Sequence, residues 1–183
     1  MKKKTNWPWI LKILVLSISM SMTFTLISEE ILGDAGYFGA FFALFIFISV
    51  GILFDIIGMA VASASEVPFH SMASHGEKGA SEAIRLIKNA EKVSSICNDV
   101  VGDICGIVSG TTGAVITVSL VRDLGAESLV VQLIVSGMVA GLTIGGKAIG
   151  KSFAVNKSTS IVLTAGKIIS LKSRLKGKRG KKH

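Results

Sequence analysis

Four apolar stretches, each about as long as a bilayer is thick, constrain this chain more than any other feature. A helix rises ~1.5 Å per residue, so about 20 apolar residues cross the ~30 Å hydrocarbon core. Such stretches run from Trp9 to Ile27, Tyr37 to Ala62, Ile96 to Val121 and Leu129 to Ile149. Half of the 183 residues are hydrophobic and 20 are glycine, which is more apolar than a water-soluble domain of this length tolerates. The expected fold is an all-α integral membrane protein. It has four transmembrane helices in a lipid bilayer, with amphipathic helices beside the membrane.

The charges between the stretches give an orientation. The connection from Ser28 to Gly36 holds three acids and no base, and that from Arg122 to Ser128 two acids and one base. Bases collect elsewhere: Lys2, Lys3, Lys4 and Lys12 at the start, Lys78, Arg85, Lys88 and Lys92 in the middle, and eleven Lys and Arg after Glu127 with no acid among them. The positive-inside rule then puts both termini and the central linker in the cytoplasm. A multi-pass plasma-membrane protein of bacterial type is expected. Lys2 to Lys4 before an apolar run also resembles a signal peptide. Trp7 and Trp9 as an interfacial anchor, and the lack of a small-residue cleavage site before Glu29, favour an uncleaved helix.

Three regions follow: 1–36 with the first span, 37–155 as a three-helix core with a helical linker at 66–93, and 156–183. The linker carries an apolar stripe from Ala80, Ala83, Ile84, Leu86, Ile87 and Ala90, which predicts one or two short helices at the inner membrane face. Past Lys151, the residues Ile161, Val162, Ala165, Ile168, Ile169 and Leu175 recur at helical spacing among Lys167, Lys172 and Arg174. This predicts an amphipathic helix held by anionic lipids. From Lys176 to His183 a disordered basic tail is expected, and lipid rather than nucleic acid is its expected partner. Cys97 and Cys105, eight apart on one helix, are read as packing residues that cannot bridge each other.

Gly102, Gly106 and Gly110 in the third stretch and Gly137, Gly141 and Gly145 in the fourth repeat every four residues. Such ridges let helix backbones approach, so these helices are expected to pack on each other or on a second subunit in a homodimer. Polar groups inside the spans say more, because a charge in hydrocarbon costs at least ~2.5 kcal/mol unless it meets a partner or water. Asp55, Ser63, Ser65, Asn98, Asp99, Asp103 and Lys147 all fall within roughly 10 Å of the expected cytoplasmic surface. They predict one polar cluster buried among the last three spans. Carboxylates, amides and hydroxyls together suit a hard cation such as Mg²⁺. The alternatives are a helix start stabilised by Asp99 and an Asp55–Lys147 pair that only holds the bundle. His70 and His75, five apart, do not share a helix face and make a poor metal site. No nucleophile stands with a base at useful spacing, and Gly145-Gly146-Lys147 completes no phosphate loop. The chain is not expected to be an enzyme.

The run Ala62-Ser63-Ala64-Ser65-Glu66, then His75-Gly76-Glu77-Lys78-Gly79-Ala80 and Asn89-Ala90-Glu91-Lys92-Val93, resembles the transmembrane domain of the CNNM/CorC magnesium and cobalt transporters. Ile96-Cys97-Asn98-Asp99 stands where that family opens its next helix with an asparagine trio. Gly146 to Ala154 stands at its G-E-hydrophobic-hydrophobic-P-K signature, with Lys147 in place of the glutamate and Gly150 in place of the proline. The similarity spans about Tyr37 to Leu175. It implies a dimeric three-helix core with an inward-facing Mg²⁺ pocket, for which Ser63, Ser65 and Asn98 would be site residues and Ser63 and Asn98 the metal candidates. Mg²⁺ would be cargo, and no resident cofactor is expected. No regulatory CBS pair is expected, and the first span is an addition to the family core. The implied function is divalent-cation transport or homeostasis. The alternative is a non-transporting membrane subunit in which Lys147 occupies the cation site.

Overall fold

The computed structural model describes residues 7–125 and 128–179, and over these it is helical with no strand. The helices are α1 (Trp7–Ser63), α2 (Val67–Ser74), α3 (Ala80–Lys88), α4 (Ala90–Ser94), α5 (Asp103–Leu124), α6 (Ser128–Asn156) and α7 (Ser158–Arg179), with a π-helical segment at Ser95–Gly102. Four segments are long and apolar enough to cross a membrane: Trp7–Ser28, Gly36–Ser63, Ala90–Asp123 and Leu129–Asn156. They match the four predicted stretches, and the last two run several residues longer. The chain forms two compact units. One is Met1–Phe54 with Asn98–Ala148, the other Asp55–Cys97 with Ile149–His183.

In the first unit, the predicted loop from Ser28 to Gly36 is instead helical up to a single corner. Gly36, at φ 56° and ψ −152°, interrupts α1, a backbone state open chiefly to glycine. The reason is local: between Glu29 and Ala35 most residues are good helix formers, and Gly33 alone is a poor one. About this corner the two arms of α1 fold back on each other. Phe24 and Phe47, nearly equidistant from Gly36, bring their rings to 5.9 Å, within the range of favourable aromatic pairs. Ala43 and Phe47 share a buried cluster with Val100, Val101, Ile104, Cys105 and Val108, against which Ile13, Met20 and Phe24 pack. Ala40, Leu44 and Ile48 meet Ile116 and Val139 in a second cluster. The buried Ser28 hydroxyl lies 3.2 Å from that of Thr112. Thr112 donates its own proton to the Val108 carbonyl, so Ser28 is the donor between them. Tyr37 donates a hydrogen bond to the Asp123 carboxylate, tying the start of the second span to the end of the third.

The predicted glycine ridges do not pack here. A Cβ added to Gly106, Gly110, Gly137, Gly141 or Gly145 would meet nothing within 4 Å. Gly106 and Gly110 instead border an open groove of about 710 Å³ lined also by Gly113, Thr117, Gln132 and Thr143. Four-residue spacing marks a smooth helix face but does not say what covers it. The close approaches in this unit fall at other glycines. A Cβ on Gly51 would come within 3.0 Å of the Cys105 side chain, and one on Gly146 would collide with Ile52 Cδ1. Cys97 and Cys105 are free and buried, as packing residues should be.

In the second unit, α2 and α3 form the linker as expected, and α4 already begins at Ala90. Their core holds Ala60, Val61, Phe69, Ala83, Ala154 and Val162, with the Phe69 ring wholly buried. α3 starts at Gly79, whose φ of 86° lies in the left-handed region. A Cβ there would sit 2.5 Å from the Lys167 nitrogen, and a Cβ on Gly166 would collide with the Gly79 carbonyl. The two backbones therefore touch with no side chain between them. Lys167 Nζ lies 2.8 Å from a Glu77 carboxylate oxygen across the same joint. That ammonium, first by its hydrogen bond and then by its charge, holds the Glu77 carboxyl below the usual glutamate range. α7 stays helical to Arg179, so the first four residues of the tail predicted to be disordered from Lys176 are helix. Gly180 to His183 lie outside the described residues, as do Lys2, Lys3 and Lys4.

Candidate functional site

The polar residues expected to form one cluster divide between the two units. In the first, Asn98 and Asp99 sit on the π-helical segment and Asp103 opens α5. A π turn adds a residue to each circuit and is frequent at functional sites. Nothing in the helical periodicity pointed to it, because the pattern of Ser95 to Gly102 fits an ordinary helix equally well. Asn98 is half-buried, whereas Asp99 and Asp103 are exposed in the single chain. The expectation that these carboxylates are buried among helices is therefore corrected. They lie on the side of the rod that also exposes Ile107 and Gly110, turned away from Val100, Val101 and Ile104 in the core.

Lys147 projects from α6 toward them. Its ammonium lies 3.7 Å from Asp103 Oδ1 and donates to the Gly102 carbonyl at 3.4 Å. The lysine side chain is 20% exposed and the aspartate side chain 68%. Within this unit Asp103 is an ion-pair partner of Lys147. This arrangement gathers a carboxylate and a peptide carbonyl around one positive charge. Oxygen ligands of that kind are what a hard cation takes, and here an ammonium takes them.

In the second unit Asp55 is buried, at 3% exposure. Ser63, at the end of α1, donates its hydroxyl proton to the Met59 carbonyl at 2.9 Å, which leaves its oxygen lone pairs outward. Ser65 accepts the Val67 N–H at 3.4 Å and so helps start α2. Both serines thus have local structural partners and are exposed or half-buried at the surface of this unit. His70 pairs with Glu66 at 3.4 Å, and His75 Nδ1 donates to the Ser71 carbonyl at 2.8 Å. The two rings have separate partners, as their five-residue spacing suggested. Among the described residues no three His, Cys, Asp or Glu side chains converge on a point where a metal would be held. Among the described residues, any cation site would therefore combine fewer than three such side chains with hydroxyl, amide or carbonyl oxygens. No protein-family model, curated protein or solved structure matches the chain.

Proposed function

We propose that this chain is a relative of the transmembrane domain of the CNNM/CorC transporters that acts in divalent-cation transport or homeostasis, with Mg²⁺ as the favoured cargo. Support comes from the order of the serine, asparagine and Gly146–Ala154 motifs, and from oxygen-rich residues gathered near the ends of membrane-length helices. The observation that carries the reading is the Lys147 ammonium held 3.7 Å from Asp103 and 3.4 Å from the Gly102 carbonyl. A positive charge at span depth is retained only where ligands offset its desolvation. Those ligands would serve Mg²⁺ if the lysine moved aside. In this proposal the protein is a plasma-membrane homodimer with both termini in the cytoplasm, and the candidate cation ligands are Asn98, Asp99 and Asp103 in one unit and Ser63, Ser65 and Asp55 in the other.

The same observation favours a second reading, a non-transporting membrane subunit whose cation site Lys147 fills permanently. Mg²⁺ flux into proteoliposomes separates the two. Transport predicts Mg²⁺-dependent flux in the native chain that drops at least ~10-fold in Asn98→Ala and Asp99→Ala, about the loss of one charged-group interaction. A filled site predicts no native signal and Mg²⁺ binding that appears only in Lys147→Glu. Silence in all of these chains would sink both readings.

A further inference from the structure

α7 carries two apolar faces, and only one is used. Val162 and Gly166 are buried against α3. Ile168 and Leu171, three residues apart and therefore on one side of the helix, remain 64% and 62% exposed. Beside them, a hollow of about 610 Å³ opens between the turn at His75–Lys78 and α7, with Lys167 and Ser170 on its wall. Lys78 is exposed and makes no ion pair with a described residue. Lys167 shares its charge with Glu77. From Ser158 to Arg179 the chain has six Lys and Arg and no acid. By connectivity α7 begins two residues after the fourth membrane-length segment ends at Asn156.

A concave hollow with Lys78, Lys167 and the Lys167-paired Glu77 on its wall and an open apolar flank is complementary to an amphiphile with a negative head and an apolar tail. We propose that the hollow between the His75–Lys78 turn and α7 is a binding site for the headgroup of an anionic phospholipid. Lys78 and Lys167 contact the phosphate, and Ile168 and Leu171 lie along the first part of the acyl chain. A lysine ammonium binds phosphate as a point charge, and juxtamembrane cations draw anionic lipid by charge while apolar neighbours sink into the interface. The site rests on the membrane placement of the spans and is independent of whether they move ions. Its failure would leave the flux experiment untouched.

The test uses the full chain in neutral detergent, with the thermal shift followed as short-chain phosphatidylglycerol is titrated in. Short-chain phosphatidylcholine and inorganic phosphate serve as parallel probes. The expected result is a saturable upward shift with phosphatidylglycerol alone, its apparent affinity weakened about fivefold by Lys78→Gln, the usual worth of one juxtamembrane lysine. The double variant Lys88→Gln, Lys157→Gln removes two charges outside the hollow and should leave the affinity within twofold. Lys78→Gln keeps the Glu77–Lys167 pair, so its effect is not one of unfolding the joint. Equal weakening by the control pair would reduce the effect to general charge and overturn the site. Equal shifts with phosphatidylcholine would do the same. A full shift with inorganic phosphate alone would reassign the hollow to a soluble anion.

Discussion

The two units bury comparable side chains by different physics. In the unit of α2, α3 and α7, a wholly buried Phe69 packs with Ala83 and Val162 on helices that also carry exposed charge, Arg85 and Lys88 on α3 among it. Its burial draws on the exclusion of water, about 1.5–3 kcal/mol for a large apolar side chain. In the unit of α1, α5 and α6, Phe47 is buried among helices whose outer faces are apolar, with Phe38, Phe45 and Leu133 strongly exposed. On the proposed membrane placement those outer faces lose nothing in lipid, and helix association rests on contact, small residues and hydrogen bonds such as Ser28 to Thr112. An equal burial fraction thus stands for unequal stabilisation.

That contrast is broken most directly at its two phenylalanines. Phe69→Ala should destabilise its unit by about 3–5 kcal/mol, the transfer and cavity terms together. Phe47→Ala should cost less, because the lost contacts are partly replaced by lipid. Proteolysis and thermal unfolding of both variants in bilayer discs would measure this, and equal losses would refute the assignment of the first unit to lipid.

Glycines sharpen the comparison at a smaller scale. Gly166→Ala drives a methyl into the Gly79 carbonyl. Backbone yields far less than a side-chain end, so a loss of about 2 kcal/mol or more is expected. Gly141→Ala meets open space and should leave monomer stability unchanged or raise it by up to about 1 kcal/mol through helix propensity. If a second copy covers that ridge, the same alanine will lower dimer content in cross-linking without lowering monomer stability.

The smallest expected effect is at the Glu77–Lys167 pair, both partners of which are near half exposed. A carboxyl held below its ordinary range contributes stability above that range and loses it as the pH falls through the lowered value. Amide protection factors in α7, exchange rates corrected for their intrinsic pH dependence, should therefore fall on acidification from about pH 7 to about pH 3. In Glu77→Gln that pH dependence should be flattened. A native response no different from the variant's would show that the pair holds nothing.

The sequence was most legible where its signal is one-dimensional. Apolar length located all four membrane-length segments to within a few residues, and the stripe from Ala80 to Ala90 announced the linker helices. What could not be read depends on which surfaces meet. The joint at Gly79 and Gly166 links residues 87 positions apart, and neither belongs to the four-residue ridges that drew attention. The π segment leaves no periodic trace, and it decides which way Asn98 and Asp99 face. For the candidate site, residue type and depth singled out Lys147, but not that Asp103 and the Gly102 carbonyl come within reach of its ammonium, which depends on helix rotation.

The Gly36 corner has a consequence for how the chain is made. A 57-residue helix broken at one glycine offers no slack between its arms, so the first two spans cannot be threaded into a bilayer independently and adjusted afterwards. On the proposed membrane placement they enter as a hairpin, with Glu29, Glu30 and Asp34 together at its turn, so three carboxylates cross in a single step rather than two.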